Sequence, residues 1–175
     1  MSSSIRSATR RDAQAILSIY APAVLTTPAS FELHPPSKQE MEARIATTLE
    51  SFPWLVLEDE RRVVAYAYAG RFHPRPAYRW SVEVSVYVDA DHHGRGAGKT
   101  LLHSLMEELD DRGFVNAFAG ITAPNPPSVQ LFEGAGFEQV AYFRDVGYKL
   151  GAWHDVGWWQ KKLRHPPAAP TEPSA

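Results

Sequence analysis

The chain has 175 residues, 44% of them hydrophobic and 11% aromatic, enough for one compact domain around a single core. Eighteen basic residues against twenty acidic ones leave a formal charge of −2, so neither a nucleic-acid backbone nor an anionic membrane is expected as a partner. No cysteine is present, which excludes disulfide scaffolds, thiolate metal sites and cysteine nucleophiles.

The opening "MSSSIRSATRRD" has no long apolar run and no small-residue cleavage pattern, and nowhere are 18 apolar residues continuous, so the expectation is a soluble, cytoplasmic protein. "IRSATRRD" reads as a short strand leading to Asp12, a candidate N-cap for "AQAILSIYAPAVL". There Ile16, Ile19 and Tyr20 share a helical face until Pro22 disturbs it. "KQEMEARIATTLES" is a second expected helix. "WLVLED" and "RVVAYAYAG" flank the charged turn "EDERR", a hairpin signal, with Val64, Tyr66 and Tyr68 alternating at period two. "RWSVEVSVYV" alternates as well: Val82, Val84, Val86 and Val88 point one way, Glu83, Ser85 and Tyr87 the other.

After that strand comes "DADHHGRGAGKT". Beyond it Leu101, Leu102, Leu105, Met106 and Leu109 form a helical stripe that Gly113 stops. "VNAFAGIT" is the next strand, "SVQLFEGAG" a short helix, and "EQVAYFRDVGYKLGAWHDVGWWQKKL" a closing pair of strands. The order predicts a mixed α/β domain over 1–164. Residues 165–175, with four prolines in "RHPPAAPTEPSA", read as a Pro-rich disordered tail.

A strand, a glycine-rich turn and a helix place unpaired backbone N–H groups and the positive end of a helix dipole at one point, which is an anion site. Gly94, Gly96 and Gly98 let the backbone approach a phosphate, and His93, Arg95 and Lys99 add charge or hydrogen bonds around it. "GKT" does not complete a Walker loop, because the required first glycine falls at His93. A dinucleotide Gly-x-Gly-x-x-Gly fails likewise at Lys99 or Leu101.

"VYVDADHHGRGAGKTLL" resembles the acetyl-CoA motif of the GNAT superfamily of N-acetyltransferases, a strand followed by Arg/Gln-x-x-Gly-x-Gly/Ala. His93 stands in the Arg/Gln place and Gly96 and Gly98 are the motif glycines. "NPPSVQLFEGAGF" is similar to that superfamily's second signature, with Asn125 ahead of a short helix and Gly136-Phe137 after it. "SFE" with "PWLV", "YAYAG", "AYRWSVEVSVYV", "PNPPSV" and "GAWHDVGWWQ" resemble the phosphinothricin and methionine sulfoximine acetyltransferase branch over nearly the whole chain except the tail.

The resemblance implies a mostly antiparallel central sheet, splayed at the fourth strand and flanked by helices, and a homodimer. It implies acetyl-CoA as cosubstrate, the pantetheine arm along Val86, Tyr87 and Val88, and the pyrophosphate over Gly94, Arg95, Gly96, Ala97, Gly98 and Lys99. Asn125 would contact the cofactor from the next strand's end. Glu83, a carboxylate inside a valine strand, is the candidate general base that strips a proton from the acceptor amine. The other reading of Glu83 is a solvated residue balancing Arg79 or Arg75.

"RFHPRPAYRW" is the expected acceptor loop: His73, Arg75 and Tyr78, together with Glu83, Val84 and Ser85, would hold a small amino acid, the guanidinium forking onto its carboxylate. The family often has lysine in the place of His73. Many superfamily members carry a tyrosine acid where this chain has Phe132. The thiolate therefore leaves unaided, or Tyr142 or Tyr148 substitutes, or water does. Adjacent His154 and Asp155 have no Gly-x-Ser-x-Gly to complete a hydrolytic triad and read as structural, and seven scattered histidines give no metal-ligand spacing. The competing functions are acetylation of a different small amine, such as a polyamine or aminoglycoside, a non-catalytic acyl-CoA sensor, and a phosphotransferase built on "GKT".

Overall fold

A computed structural model describes residues 3–175, so Met1 and Ser2 of the expected 1–164 domain lie outside the described residues. Seven strands form one sheet in the order β1-β2-β3-β4-β5-β7-β6: β1 Ser4–Ser7, β2 Trp54–Asp59, β3 Arg62–Arg71, β4 Ser81–Val88, β5 Asn116–Ala123, β6 Glu138–Lys149 and β7 Ala152–Lys162. Four helices flank it: α1 Ala13–Thr26, α2 Lys38–Leu49, α3 Ala97–Asp111 and α4 Pro126–Gly134. Every strand pair is antiparallel except β4–β5, because the 15-residue α3 carries the chain back to start β5 beside the start of β4.

The expected single core is two cores, one on each face of the sheet. Leu101, Leu102, Leu105, Met106 and Leu109 of α3 pack on Val82, Val84, Ala117 and Ala119. On the other face Ile16, Ile19, Tyr20 and Val24 of α1 and Met41 and Ile45 of α2 cover Trp54, Val56 and Tyr66. The alternation of β4 thus holds: Val82 and Val84 enter the α3 side, and Glu83, Ser85 and Tyr87 lie on the α1–α2 side. The period-two grouping of Val64 with Tyr66 does not hold. A register shift at Leu57/Glu58 sends Val64 to the α3-side core while Tyr66 stays opposite.

Asp12 stands at the N-cap position of α1 as expected, and Pro22, expected to disturb the helical face, lies inside the helix. Asp12 makes no N-cap hydrogen bond to α1; its carboxylate accepts from Thr9 N at 2.7 Å and from both Nη atoms of Arg6 at 2.8 Å, tying β1 to the start of the helix. Pro22 does not end α1. Val24 is 1% exposed and continues the buried stripe, and the last-turn carbonyls of Pro22 and Ala23 accept from the Thr26 and Thr27 hydroxyls at 2.7 Å. Residues 165–175 carry no helix or strand, yet they lie on the body: Trp80 Nε1 donates to Thr171 O at 2.8 Å and Ser174 N to Arg112 O at 2.9 Å. No helix among the described residues is long and apolar enough to cross a membrane.

Candidate active site

β4 and β5 pair only through Ser81↔Asn116, Val82↔Ala117 and Glu83↔Phe118, after which they diverge. From Val84 to Val88, β4 pairs with β3 on one edge and has no ladder to β5 on the other. An open strand edge of this kind offers N–H and C=O groups to an extended ligand. Val86, Tyr87 and Val88 are the last three residues of that edge, so the expected pantetheine segment coincides with the splay.

The turn that follows is held from outside. Asp89 accepts from Asp91 N at 3.0 Å and pairs with Arg62 at 2.8 Å, and the His93 ring nitrogen Nε2 bonds Val88 O at 3.0 Å. Gly94 and Gly96 adopt left-handed backbone, φ +72° and +85°, with open space where a Cβ would stand. Gly96 is the N-cap of α3 and supplies no side chain, so no side chain covers the helix's first N–H groups. Gly98 differs from the other two. A Cβ there would touch Leu131 and Val88 at 3.4 Å and Val86 at 3.7 Å, so its small size lets α3 press against β4 and α4 rather than opening space for a phosphate. Arg95, Ala97 and Lys99 belong to the same turn and first helical residues.

Asn125 sits at the mouth of the next strand as N-cap of α4, its Oδ1 accepting from Ser128 N at 3.3 Å. Its amide nitrogen has no protein partner among the described residues.

Glu83 stands where the splay begins. Directly opposite it are Gly70 on β3 and Phe118 on β5, and the Phe118 ring stacks on Phe72 at 4.2 Å, itself edge-on to Trp158 at 5.9 Å. The carboxylate is half-buried and has no hydrogen bond or ion pair among the described residues. Burial pushes its pKa above the ordinary carboxylate value. The balancing arginines of the other reading are engaged elsewhere or unpaired: Arg79 bonds Pro76 O at 2.9 Å and pairs with Glu172.

The acceptor loop curls below the start of β4. Arg75 N donates to His73 Nδ1 at 3.3 Å, and the His73 ring lies 4.6 Å from the Tyr78 ring, which is edge-on to Phe72 at 6.1 Å. His73 and Arg75 line a cavity of about 360 Å³ together with Arg71, Arg79 and Ser81. Val84 points into the α3-side core, whereas Ser85 shares the Glu83 face, opposite Tyr68.

Several site residues carried no local signal in the sequence. Tyr20, Glu32, Arg44 and Tyr68 converge on the Glu83 face: the Tyr20 hydroxyl donates to Glu32 at 2.9 Å, and Arg44 grips the same carboxylate at 2.6 and 3.1 Å. A second cavity of about 430 Å³ is lined by Tyr20, Arg44, Trp54, Tyr66 and Tyr68. The alternation of "YAYAG" placed both strand tyrosines on one face, but nothing local pointed to Glu32 and Arg44 meeting there.

Phe132 is 5% exposed and edge-on to Phe137 at 5.1 Å, inside the core. Tyr142 and Tyr148 lie on β6, the far edge of the sheet, where the Tyr142 hydroxyl is bound to Asp155 at 2.8 Å. Asp155 also accepts from Asp145 N, and His154 bonds Lys149 O, so the His–Asp neighbours have separate structural partners. No group of three His, Asp or Glu side chains able to hold a metal occurs among the described residues.

The sheet is thus splayed at its fourth strand, with a glycine turn on a helix N-terminus beyond the splay and a half-buried carboxylate at the fork. The sequence pattern of the acetyltransferase (GNAT) domain family matches residues 5–158; the chain belongs to that family and is an N-acetyltransferase. It is 39% identical over 170 residues to the phosphinothricin N-acetyltransferase of Streptomyces viridochromogenes, covering 97% of this chain and 93% of that protein. The L-methionine sulfoximine/L-methionine sulfone acetyltransferase of Salmonella typhimurium is 36% identical over 160 residues, 91% of this chain and 94% of that one. The crystal structure of the Sinorhizobium meliloti phosphinothricin acetyltransferase in complex with acetyl-CoA superimposes with a TM-score of 0.92 at 36% identity, covering 99% of this chain and 94% of the other.

Proposed function

We propose that the chain transfers the acetyl group of acetyl-CoA to the α-amine of a small amino acid or analogue of the phosphinothricin, methionine sulfoximine or methionine sulfone kind, with Glu83 as general base. The observation that carries this reading is the half-buried carboxylate at the fork of β4 and β5, with no hydrogen-bond or ion-pair partner among the described residues and a pKa raised by burial. Glu83 takes a proton from the acceptor ammonium, directly or through water. The freed nitrogen attacks the thioester carbonyl carbon, a C–N bond forms, the C–S bond breaks, the nitrogen gives up its second proton to water, and CoA leaves as thiolate. Phe132 is buried and cannot protonate it, so the thiolate takes its proton from water. The β4 edge at Val86 to Val88 and the amides of Gly94 to Lys99 hold the cofactor, with Asn125's free amide nitrogen close to the same cleft.

His73, Arg75 and Tyr78 supply the acceptor's carboxylate contact, with Ser85 beside Glu83. A cytoplasmic location and a homodimer belong to the same reading. The outer surface of β6 and β7 exposes Tyr142, Phe143, Val146, Tyr148, Leu150 and Trp153, an apolar strip that a second copy would cover. Sedimentation at a single species of monomer mass would overturn the dimer.

Kinetics with methionine sulfoximine and its decarboxylated analogue test the acceptor class. A large preference for the amino acid is expected; equal kcat/KM for the two would show that no carboxylate is read and that a plain amine is the substrate.

A further inference from the structure

The cavity beneath the acceptor loop is lined by three arginines, Arg71, Arg75 and Arg79, and by Glu172 and Ala175. Glu172 comes from the last stretch of chain and pairs with Arg79, while Arg71 and Arg75 have no carboxylate within ion-pair distance among the described residues. The same stretch is fastened at two more points. Thr171 O receives the Trp80 indole N–H at 2.8 Å, and Ser174 N donates to Arg112 O at 2.9 Å. Pro173 lies over Gly113, its Cα 3.8 Å from where a Cβ would stand, and Pro173 and Ala175 form part of the cavity wall.

We propose that residues 171–175 act as a strap over the arginine cavity, placing a carboxylate of the chain where the acceptor's carboxylate is drawn and so competing with acceptor binding. This rests on the reading that Arg75 holds the acceptor. Excess positive charge in a partly enclosed space attracts any carboxylate, from the chain or from solution. Attachment is by one exposed ion pair and two hydrogen bonds, with no helix or strand to hold it, so release is within reach of a small ligand. Pro173 within the strap, and Pro166, Pro167 and Pro170 leading into it, stiffen this stretch of chain and keep its ordering cost low. The strap touches neither the β4 edge nor the glycine turn, so its effect falls on the acceptor and not on acetyl-CoA.

The test is steady-state kinetics on a chain ending at Arg164 and on full-length Glu172→Gln. Shortening should lower the acceptor KM roughly 3- to 10-fold, the scale of one ion pair with its supporting bonds, and Glu172→Gln should lower it by less. The KM for acetyl-CoA and kcat should stay unchanged. A peptide of residues 165–175 added to the shortened chain should inhibit competitively against the acceptor. Strap docking is read separately from the Trp80 indole N–H by NMR, whose hydrogen exchange should quicken when methionine sulfoximine saturates the full-length protein.

An unchanged acceptor KM in both variants, or an indole whose exchange ignores the acceptor, overturns the strap. Failure of Arg75→Ala to raise the acceptor KM overturns instead the reading beneath it, and the two failures are distinct because the indole reports docking without reference to Arg75. Should the shortened chain melt, Glu172→Gln alone decides.

Discussion

The two halves of the site are built from different material. The proposed cofactor half is one continuous stretch, Val86 to Lys99, and offers mainly backbone: an unpaired strand edge, two left-handed glycines and the bare start of α3. The proposed acceptor half draws instead on side chains from several elements, and they line two separate cavities. Phe72 to Tyr78 come from one loop, Glu32 from another, Arg44 from α2, Phe118 and Trp158 from neighbouring strands. A ligand common to a whole family can be held by backbone, which changes little when side chains are exchanged. Acceptor choice needs side chains, and these can vary without moving the cofactor.

Glu83 sits at the junction, and its replacement should have the largest effect. Glu83→Gln keeps the shape and removes the basicity, so kcat should fall on the order of 10²-fold or more with little change in the KM for acetyl-CoA. In the unaltered enzyme the acid limb of kcat should lie above the ordinary carboxylate range, because burial raises the Glu83 pKa and only the ionised form accepts the proton. Tyr68, Tyr87 and Phe118 face it, and no cation pairs with it to pull the limb back down. A pH profile of Glu83→Gln that keeps both its height and its acid limb would remove Glu83 from the chemistry.

Next in size is the acceptor half alone. Loss of an Arg–carboxylate contact costs about 1.5 to 3 kcal/mol, so Arg75→Ala should raise the acceptor KM roughly 10- to 150-fold. Calorimetry with acetyl-CoA should show no change. If both ligands weaken together, the two halves are not separable in the way their construction implies.

The cofactor half is probed by two glycines that look alike in sequence. Gly96→Val forces a β-branched residue into left-handed backbone at φ +85°, a strain of about 1 to 3 kcal/mol, and should weaken CoA about tenfold. Gly98→Ala meets only ordinary contacts at 3.4 Å and should leave CoA affinity within about twofold, a cost well under 1 kcal/mol. Equal losses at both positions would mean that the turn's conformation is not what holds the cofactor.

The same division decides what could be read from the residues alone. The glycine turn, the alternation of β4 and the stripe of α3 are local patterns, and the structure keeps all three. Gly98 shows the limit: its spacing fits a phosphate loop, but its role depends on Leu131 and Val88 lying across it, which no local pattern reveals. Pro22 was expected to disturb the helical face, and burial of Val24 continues the stripe of α1 past it. The end of the chain read as disordered by composition, yet Arg79 and Trp80 bind it across separations of 93 and 91 residues, and Arg112 binds it too; closing loops of such length costs little extra entropy per added residue. Arg75 drew notice because it lies near Glu83 in sequence, and its acceptor role is a proposal; the Glu32–Arg44 pair has no local signal because it forms only after α1 and α2 dock.

The smallest effect concerns stability, and it tests the claim that the Glu83 carboxylate is desolvated without compensation. Its folded pKa is raised above the model-peptide value of 4.5, so the folded state holds the proton more tightly than the unfolded chain does. Such a group stabilises the fold when protonated, and that contribution is lost as pH rises through the folded pKa. At about pH 8 the ionised carboxylate therefore opposes folding, and Glu83→Gln, always neutral, escapes the penalty. The variant should melt a few degrees higher than the parent at that pH, the two curves converging as pH falls toward 4.5. The direction matters because the same substitution is expected to remove activity: a residue that weakens the fold where the enzyme works and is required for turnover is positioned for chemistry. Equal melting temperatures at high pH, or a variant that melts lower, would show that a partner such as ordered water already compensates the charge, and the raised acid limb of kcat should then be absent as well.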